Sequence, residues 1–399
     1  MKFNKWTIGL AAIGVVSLAS AAKAEEKASS VMTAVSSTTL SGYVDTTAQW
    51  NFGTGNAHLP DYKFGGPSKA DGFNLNVVQL RIEKPLDEAE WAAGYRVDLW
   101  FGPDANTLGT SSVSHETLTS SDFAVRQAYV ALRMPVGNGI DWKVGVFDSP
   151  MGYESVEAGA NPNYTRSYGH SIEPQTLTGL MASYRFCDFF SASAGIANTA
   201  GPTINARAWG EDGKAESFKT YFGTLALTAP ESCGFLAGSV LYGGILNGLT
   251  ENEGRADYDE NATSYYAGLT MNTPVKGLRV GAAFDYLAVH NLSGETWAVG
   301  GYASYQATEK LSLHVRGEYL RDRGEQKFFV VDGAPTNPDR TLGLTGTIQY
   351  DLWKNVISRL EVRWDKSLTG EGIWGGTSTE SPGTLRNQVM MLANITYKF

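Results

Sequence analysis

The sequence predicts an all-β fold: a transmembrane antiparallel β-barrel of about 16 strands with short periplasmic turns and long extracellular loops. Three observations predict it. From Leu40 onward, short segments alternate apolar and polar residues with a period of two, the period of a strand. The connections between segments alternate between short turns and long polar loops. All 14 prolines fall between the segments, and proline is excluded from central strands because it has no amide hydrogen to donate.

The first residues of the chain have the pattern of an export signal. Lys2 and Lys5 precede an apolar run from Ile8 to Ala22, and Ala22-Lys23-Ala24 is a small-x-small cleavage site. A membrane anchor is the alternative, but the run is short for a span and contains two serines. The predicted divisions are a signal peptide, a flexible leader and the barrel, at residues 1–24, 25–38 and 39–399. After the signal peptide, no apolar stretch is long enough for a transmembrane helix.

The strands follow from the alternation. In "LSGYVDTTAQW", Val44 and Trp50 fall on one face while Asp45 and Gln49 fall on the other. The segments "LSLHVRGEYL" and "VISRLEVRWD" separate apolar from charged residues in the same way. Sixteen strands are predicted to start near residues 39, 73, 89, 122, 140, 175, 189, 218, 234, 262, 278, 295, 310, 340, 355 and 387.

The lengths of the connections favour a membrane barrel over a soluble β-sandwich, which is the main structural alternative. Short turns are predicted at 85–88, 135–139, 187–188, 229–233, 273–277, 308–309 and 352–354, and longer loops between them, with only 290–294 breaking the rule. A sandwich shares the alternation of side chains but not this asymmetry of its loops. Aromatic residues near predicted strand ends fit the interfaces of a bilayer: Trp50, Phe101 and Trp364 at the outer ends, Trp142 and Phe186 at the inner ends.

The final segment, "VMMLANITYKF", is predicted to close the barrel by pairing with the first strand, because a closed sheet has no free edge. Its outward, lipid-facing set is Val389, Met391, Ala393, Ile395, Tyr397 and Phe399, and its inward set is Gln388, Asn394, Thr396 and Lys398. A last strand that ends in phenylalanine also resembles the signal read by outer-membrane barrel assembly machinery. Tyr397 and Phe399 are the candidate residues of that signal.

Sixteen strands enclose a lumen that is too wide for side chains to fill, so an aqueous channel is expected. The charged residues on the polar phase of the strands are predicted to line it: Arg81, Glu83, Arg96, Asp98, Lys143, Arg185, Arg279, Asp285, Arg316, Glu318, Arg359, Glu361 and Arg363. A charge facing hydrocarbon would cost a few kcal/mol at the membrane midplane. Both signs are present, so the ion selectivity is left open. The lining charges form either a wall of mutually paired groups or a selectivity ring.

The third long connection, residues 149–173, concentrates titratable side chains, namely Glu154, Glu157, Arg166, His170 and Glu173. In general porins the third loop folds inward and narrows the pore, with acids facing basic residues of the wall. By that analogy this segment is a candidate constriction loop with a transverse field. The alternative is an external loop that packs over the rim of the barrel.

Cys187 and Cys233, the two cysteines of the chain, fall in neighbouring short turns on the periplasmic side. Because the periplasm is oxidising, a disulfide between them is predicted. It requires the two Cα atoms to lie within about 7 Å of each other. Two unpaired thiols are the alternative.

Other functional classes find little support. With a formal net charge of -9 and no basic cluster, the chain is not expected to bind nucleic acid. The histidines show no zinc spacing, no Gly-x-Ser-x-Gly elbow is present, and the glycines match no phosphate-binding pattern, so neither catalysis nor a cofactor or metal is expected. A receptor or adhesin that acts through long loops, such as the acidic segment 251–260, remains the alternative to a channel.

Four segments of the sequence resemble the OmpL-like β-barrel porin family. They are "LSGYVDTTAQWNFGTG" near the start, "VGVFDSPMGYE" (144–154), "NPNYTRSY" (161–168) and "PQTLTG" (174–179). The resemblance implies a porin in the Gram-negative outer membrane and supplies no catalytic residues. Together with the residue patterns, it leads us to expect passive diffusion of small hydrophilic solutes, with a homotrimer expected by analogy with general porins. The identity of the solute is left open.

Overall fold

The computed structural model describes most of the predicted barrel. The described residues are 37–53, 55–60, 62–65, 69–110, 121–207, 218–249, 261–289, 294–324, 339–369, 372–378 and 383–399. The predicted signal peptide, most of the leader and the acidic segment 251–260 lie outside them.

Sixteen antiparallel strands form one closed barrel in which every strand pairs with its neighbours in sequence and β1 pairs with β16. This confirms the predicted fold class. The strands are β1 Thr39–Phe52, β2 Gly72–Lys84, β3 Ala93–Phe101, β4 Phe123–Met134, β5 Ile140–Asp148, β6 Thr176–Arg185, β7 Phe190–Ala197, β8 Thr220–Thr228, β9 Val240–Leu249, β10 Asn261–Asn272, β11 Leu278–Val289, β12 Gly294–Gln306, β13 Leu311–Gly324, β14 Arg340–Trp353, β15 Val356–Ser367 and β16 Asn387–Lys398.

Two strands start later than the alternation predicts, for local reasons. Trp91 has a φ of 58°, in the left-handed region, so the chain is still turning there and β3 begins at Ala93 rather than near 89. A 3-10 helix over Glu231–Leu236 occupies the turn before β9, which therefore begins at Val240 rather than near 234. The remaining predicted starts lie within two residues of the observed ones.

The two faces of the strands differ as the alternation predicts. In β16, Ile395 and Tyr397 point outward and are 50% and 48% exposed, whereas Asn394 and Thr396 point inward and are buried. The barrel closes beyond the last strand residue as well, because the amides of Gly42 and Phe399 each donate a 3.0 Å hydrogen bond to the other residue's carbonyl oxygen. This pairing satisfies backbone groups that a free edge would leave open.

The register shifts at three places in the described part of the barrel, and two of these shifts are bulges that bring additional residues to the inner face. The pairing of β1 with β2 skips Asn76, and the pairing of β3 with β4 skips Arg126. An extra residue in one strand turns two consecutive side chains to the same face. Asn76 and Val77 are consequently both buried, as are Arg126 and Gln127. The second bulge places an additional arginine inside the barrel.

The connection between β5 and β6, residues 149–175, is called the third loop below. It contains a 3-10 helix over Ala158–Ala160 and one short α-helix, α1, over Tyr168–Ile172. Most of its side chains are buried, and α1 packs against β11, β12 and β13. The loop therefore lies inside the barrel rather than over its rim. Among the described residues, no helix is long and apolar enough to cross a membrane.

Candidate functional site

The third loop is held against the inner wall formed by β13 and β15. Arg316 of β13 donates from Nη1 to Glu154 Oε1 at 2.9 Å and from Nη2 to the carbonyl oxygen of Arg166 at 3.3 Å. Its Nε also donates to Glu318 Oε1 at 3.1 Å. Arg316 is fully buried, so one guanidinium joins the wall to both the side chains and the backbone of the loop.

Three further charged residues of β15 bind the backbone of the third loop. Arg359 donates to the carbonyl oxygens of Ala158 and Asn161, both at 2.9 Å. Arg363 donates to the carbonyl oxygen of Arg166 at 2.7 Å. Glu361 accepts from the backbone amide of Thr165 at 2.9 Å. We call Arg316, Arg359, Glu361 and Arg363 the anchor residues, since all four are buried between the wall and the loop.

On the part of the wall beyond β16 and β1, three arginines of β2, β3 and β4 converge on two carboxylates. Arg81 Nε, Arg96 Nη2 and Arg126 Nη1 lie 2.9, 2.7 and 2.7 Å from oxygens of Asp98, which is fully buried beneath them. The same three guanidiniums contact Glu157 of the third loop, at 3.3 Å from Arg96 and 3.4 Å from Arg126, with the Arg81 contact closer still. We call Arg81, Arg96 and Arg126 the arginine cluster. A carboxylate of the loop thus faces a basic wall.

The arginine cluster keeps Glu157 ionised. Burial alone would raise the pKa of its carboxyl, but the charges of Arg81, Arg126 and Arg96 outweigh that effect and lower the pKa to about 2. The side chain of Glu157 remains 22% exposed, as do those of Arg81 and Arg96 at 21% and 19%. These three groups therefore present fixed charges to the open part of the lumen.

Arg126 is the residue of this site that the alternation misses. The bulge places Arg126 and Gln127 side by side on the inner face, and Arg126 bonds Asp98, Asp148 and Glu157 there. A strict period of two allows only one of two neighbouring residues to face inward. The signal in the sequence is the polar doublet Arg126-Gln127 in the middle of β4, because two consecutive polar residues in a strand indicate a bulge.

A cavity of about 660 Å³ lies beside the arginine cluster, between the third loop and the wall of β2 to β6. It extends from the turn 85–88 at the periplasmic end to Pro150 and Pro174, near the two ends of the third loop. Lys143 and Glu83 also line it. The third loop leaves this space unfilled next to the wall of β2 to β6, and the cavity is called the open side of the lumen below.

The remaining residues predicted to line the lumen occupy three kinds of position. Arg185 lies at the periplasmic rim, where it pairs with the exposed Asp188 at 2.6 Å. Arg279 donates to Asn272 Oδ1 at 2.9 Å, also near a periplasmic turn. Glu318 and Asp285 face inward but are buried beneath the third loop.

The titratable residues of the third loop do not all meet at one point. Glu157 reaches the arginine cluster, whereas Glu154 is bound by Arg316 and is only 2% exposed. Arg166 donates to the carbonyl oxygens of Tyr164 and Val156, within and beside the loop's own turns. The loop therefore presents a single acid to the open lumen and uses the others in its own packing.

His170 and Glu173 form a buried cluster with Asp285 where α1 meets β11. Glu173 Oε1 accepts from the backbone amide of Tyr153 at 3.2 Å, and its Oε2 lies 3.4 Å from His170 Nδ1. Burial and the nearby Asp285 raise the pKa of Glu173 well above its usual range. Burial and the nearby Arg166 lower the pKa of His170 well below its usual range. His170 is accordingly uncharged at neutral pH, and Glu173 is shifted toward its protonated form.

The predicted disulfide is wrong: Cys187 and Cys233 are free thiols. Cys187 lies in the turn between β6 and β7, and Cys233 lies in the 3-10 helix between β8 and β9. Two strand spacings separate these turns along the rim, which amounts to about 10 Å. A disulfide needs Cα atoms within about 7 Å.

We expect both cysteines to react with a thiol reagent in protein that is denatured without reductant. The reason is that neither sulfur is bonded to the other and unfolding exposes both. Quantitative labelling should give two modified thiols per chain. A protein that labels only after reduction would contradict the structure, and Cys187→Ser should leave a single reactive thiol as the control.

In the part of the chain that the structure describes, no group of three or more His, Cys, Asp or Glu side chains is placed to hold a metal ion. The site therefore consists of the third loop, the anchor residues, the arginine cluster and the cavity. Chemically, this arrangement can exclude large solutes by the width of the open side and can act on charged solutes through fixed charges of both signs.

Solved structures share this architecture at low sequence identity. An anion-selective porin from Comamonas acidovorans matches with a TM-score of 0.59 and 12% identity over 91% of this chain and 99% of that chain. OprB of Pseudomonas putida matches with a TM-score of 0.56 and 11% identity over 90% and 93%. The trimer form of OmpT from Vibrio cholerae matches with a TM-score of 0.53 and 12% identity over 91% and 99%. These likenesses concern the fold.

The comparison that identifies the protein family is a comparison of sequences. No curated protein matches it. The model of the family described as "Putative beta-barrel porin-2, OmpL-like" matches residues 37–399, which include all sixteen strands and the third loop. The chain belongs to this family of outer-membrane porins.

Proposed function

We propose that the protein lets small hydrophilic solutes and ions diffuse passively through the open side of its lumen, between the third loop and the wall of β2 to β6. One observation carries the proposal: the third loop is bonded to the β13 and β15 wall and leaves a cavity of about 660 Å³ beside the arginine cluster. The loop is also bonded to the arginine cluster through Glu157, so it narrows the lumen from both places, and the cavity is the space through which solutes would pass. The proposed activity is diffusion rather than catalysis.

The charges of the open side would act as a constriction. Glu157 and the exposed ends of Arg81 and Arg96 are the residues that a passing solute would meet there. Because Glu157 contacts the arginines directly, these charges form one group on one side of the passage, and a solute would pass beside them and meet charges of both signs. Lys143 and Glu83 add one charge of each sign along the cavity wall.

The family and two residue patterns of the sequence support a proposal for the cellular setting. We propose export by the signal peptide at residues 1–24 and insertion into the Gram-negative outer membrane by barrel assembly machinery that reads Tyr397 and Phe399. A homotrimer is the proposed assembly, supported by the trimer form of the similar OmpT structure. Membrane lipid would contact the outward apolar residues, such as Leu360 and Val362.

Single-channel recording tests this function. The refolded chain without residues 1–24 should produce stable conductance steps in planar bilayers, on the order of hundreds of picosiemens in molar KCl, as expected for a water-filled lumen across a hydrocarbon core about 30 Å thick. The reversal potential under a salt gradient then gives the sign of the ion selectivity. Folded and inserted protein that carries no current would overturn the proposal and favour a receptor or adhesin.

A further inference from the structure

Lys143 differs from the arginines of the cavity because it forms no ion pair with an acid of the described residues. It lies on the inner face of β5 and lines the cavity. Its neighbours Arg81, Arg96 and Arg126 share Asp98 and Glu157, and Arg133 pairs with Asp141 at 3.1 Å. Lys143 makes no hydrogen bond or ion pair with any described residue. Its only close polar contact is with the face of the Tyr129 ring, whose centroid is 4.9 Å from Nζ.

Two uncharged side chains, Tyr129 and Met181, lie next to Lys143. Met181 is its register partner on β6, and Tyr129 lies on β4 in register with Arg96 of β3. Met181 belongs to the apolar cluster that contains Phe147 and Leu177, and the partly buried Tyr129 packs against that cluster. A cation thus lies at the border of an aromatic and thioether surface.

We infer that Lys143 and the Tyr129–Met181 surface form a binding site for a small organic anion, a carboxylate with an apolar or aromatic body. The carboxylate would bind the ammonium of Lys143, and the body would lie along Tyr129 and Met181. The inference rests on the proposed function, since it names a class of solute for the same lumen. It differs from a general preference for anions, because contacts with the apolar surface would stabilise an organic anion but not chloride.

Glu83 supplies an internal comparison. It lines the same cavity and faces inward on β2, opposite Arg96 in the register of β2 and β3. Glu83, Arg96 and Tyr129 are register partners across β2, β3 and β4, and Lys143 lies on β5 two residues before Gly145, the register partner of Tyr129. Like Lys143, the Glu83 carboxylate has no ion-pair partner within the described residues, so it repels an anion that approaches Lys143.

Benzoate is the probe for this site, with acetate as the comparison that lacks the apolar body. In planar bilayers, benzoate added to KCl should interrupt the current through the wild-type channel in a saturable way, at lower concentration than acetate. Lys143→Met should weaken the apparent affinity for benzoate about tenfold, the ratio typical of losing one charge-assisted contact. Glu83→Gln should strengthen it. The matched control is Lys276→Met, which removes the same charge from an exposed periplasmic turn and should change nothing.

The outcomes separate this inference from the proposed function. If the wild type conducts KCl but benzoate acts equally on the wild type and on Lys143→Met, the inference is overturned and the porin function stands. If benzoate and acetate act alike, the apolar part of the site is overturned. Calorimetric titration of benzoate into folded protein in detergent needs no ion current. It decides the inference by the same comparison of Lys143→Met with Lys276→Met even if no channel is seen.

Discussion

Replacing Arg316 with methionine should raise the single-channel conductance and destabilise the folded barrel. Arg316 is the buried group that joins β13 to Glu154 and to the backbone of the third loop. Without it, Glu154 and Glu318, which are 2% and 1% exposed, lose this partner in a buried environment. Breaking a buried pair in this way typically costs about 3–5 kcal/mol. The loop would therefore leave the wall or sample many positions, and the lumen would widen.

Conductance and current noise in planar bilayers, together with the midpoint of unfolding in denaturant, measure the effect of Arg316→Met. Arg185→Met is the matched control, because Arg185 pairs at the rim with Asp188, whose side chain is 90% exposed. Adding Glu154→Gln to Arg316→Met should recover part of the stability but not the original conductance, since it removes the stranded charge without restoring the link. An unchanged conductance in Arg316→Met would show that the loop is held by other contacts.

Replacing Glu157 with glutamine should shift the ion selectivity toward anions. The variant removes the one acid of the third loop that faces the open lumen and leaves the arginine cluster without that partner. An ion passing about 6 Å from the lost charge gains or loses about 0.7 kcal/mol at the permittivity of water, and more where water is restricted. We therefore expect the ratio of anion to cation permeability to rise at least about threefold. Reversal potentials under a KCl gradient measure the ratio.

The pKa of Glu157 predicts how the difference in ion selectivity between the wild type and Glu157→Gln depends on pH. Because its pKa in the folded protein is about 2, below its usual value, the carboxylate stays ionised as the pH falls through the range in which free glutamate is protonated. The wild type and Glu157→Gln should therefore still differ in selectivity at pH 4. Convergence of the two proteins near pH 4 to 5 would mean that the arginine cluster does not hold Glu157 in its charged form. Glu90→Gln, in an exposed periplasmic turn, is the control for charge alone.

The barrel could be predicted from the sequence because its signals are local. A period of two sets the faces, and proline and polar clusters set the ends, so strand starts such as those of β1, β5 and β11 follow from a few neighbouring residues. The late starts of β3 and β9 also depend on neighbouring residues, but those residues do not specify one turn geometry. Trp91 in a left-handed conformation and a 3-10 helix before β9 both occur where several turn geometries fit the same residues.

The interior could be predicted only in part because its contacts join distant residues. Glu154 meets Arg316 and Ala158 meets Arg359, pairs about 160 and 200 residues apart that leave no mark on local periodicity. Met390 and Leu392 show the same difficulty. They face inward, where the alternation rule for a water-filled barrel predicts polar residues, because Tyr62 and Tyr164 of two loops pack on them. A loop inside the lumen converts part of a wet wall into a protein core.

The anchor residues have a consequence for how variants of this porin can differ. Arg316, Arg359 and Arg363 bind carbonyl oxygens of Ala158, Asn161, Thr165 and Arg166, and those oxygens belong to the backbone. Substituting a loop side chain leaves the carbonyl in place. The wall can therefore retain loops of differing side chains, and the charge presented to the lumen can change at positions such as Glu157 while the path of the chain stays the same. Mutations of the loop side chains can therefore change which solutes permeate without changing the fold of the loop.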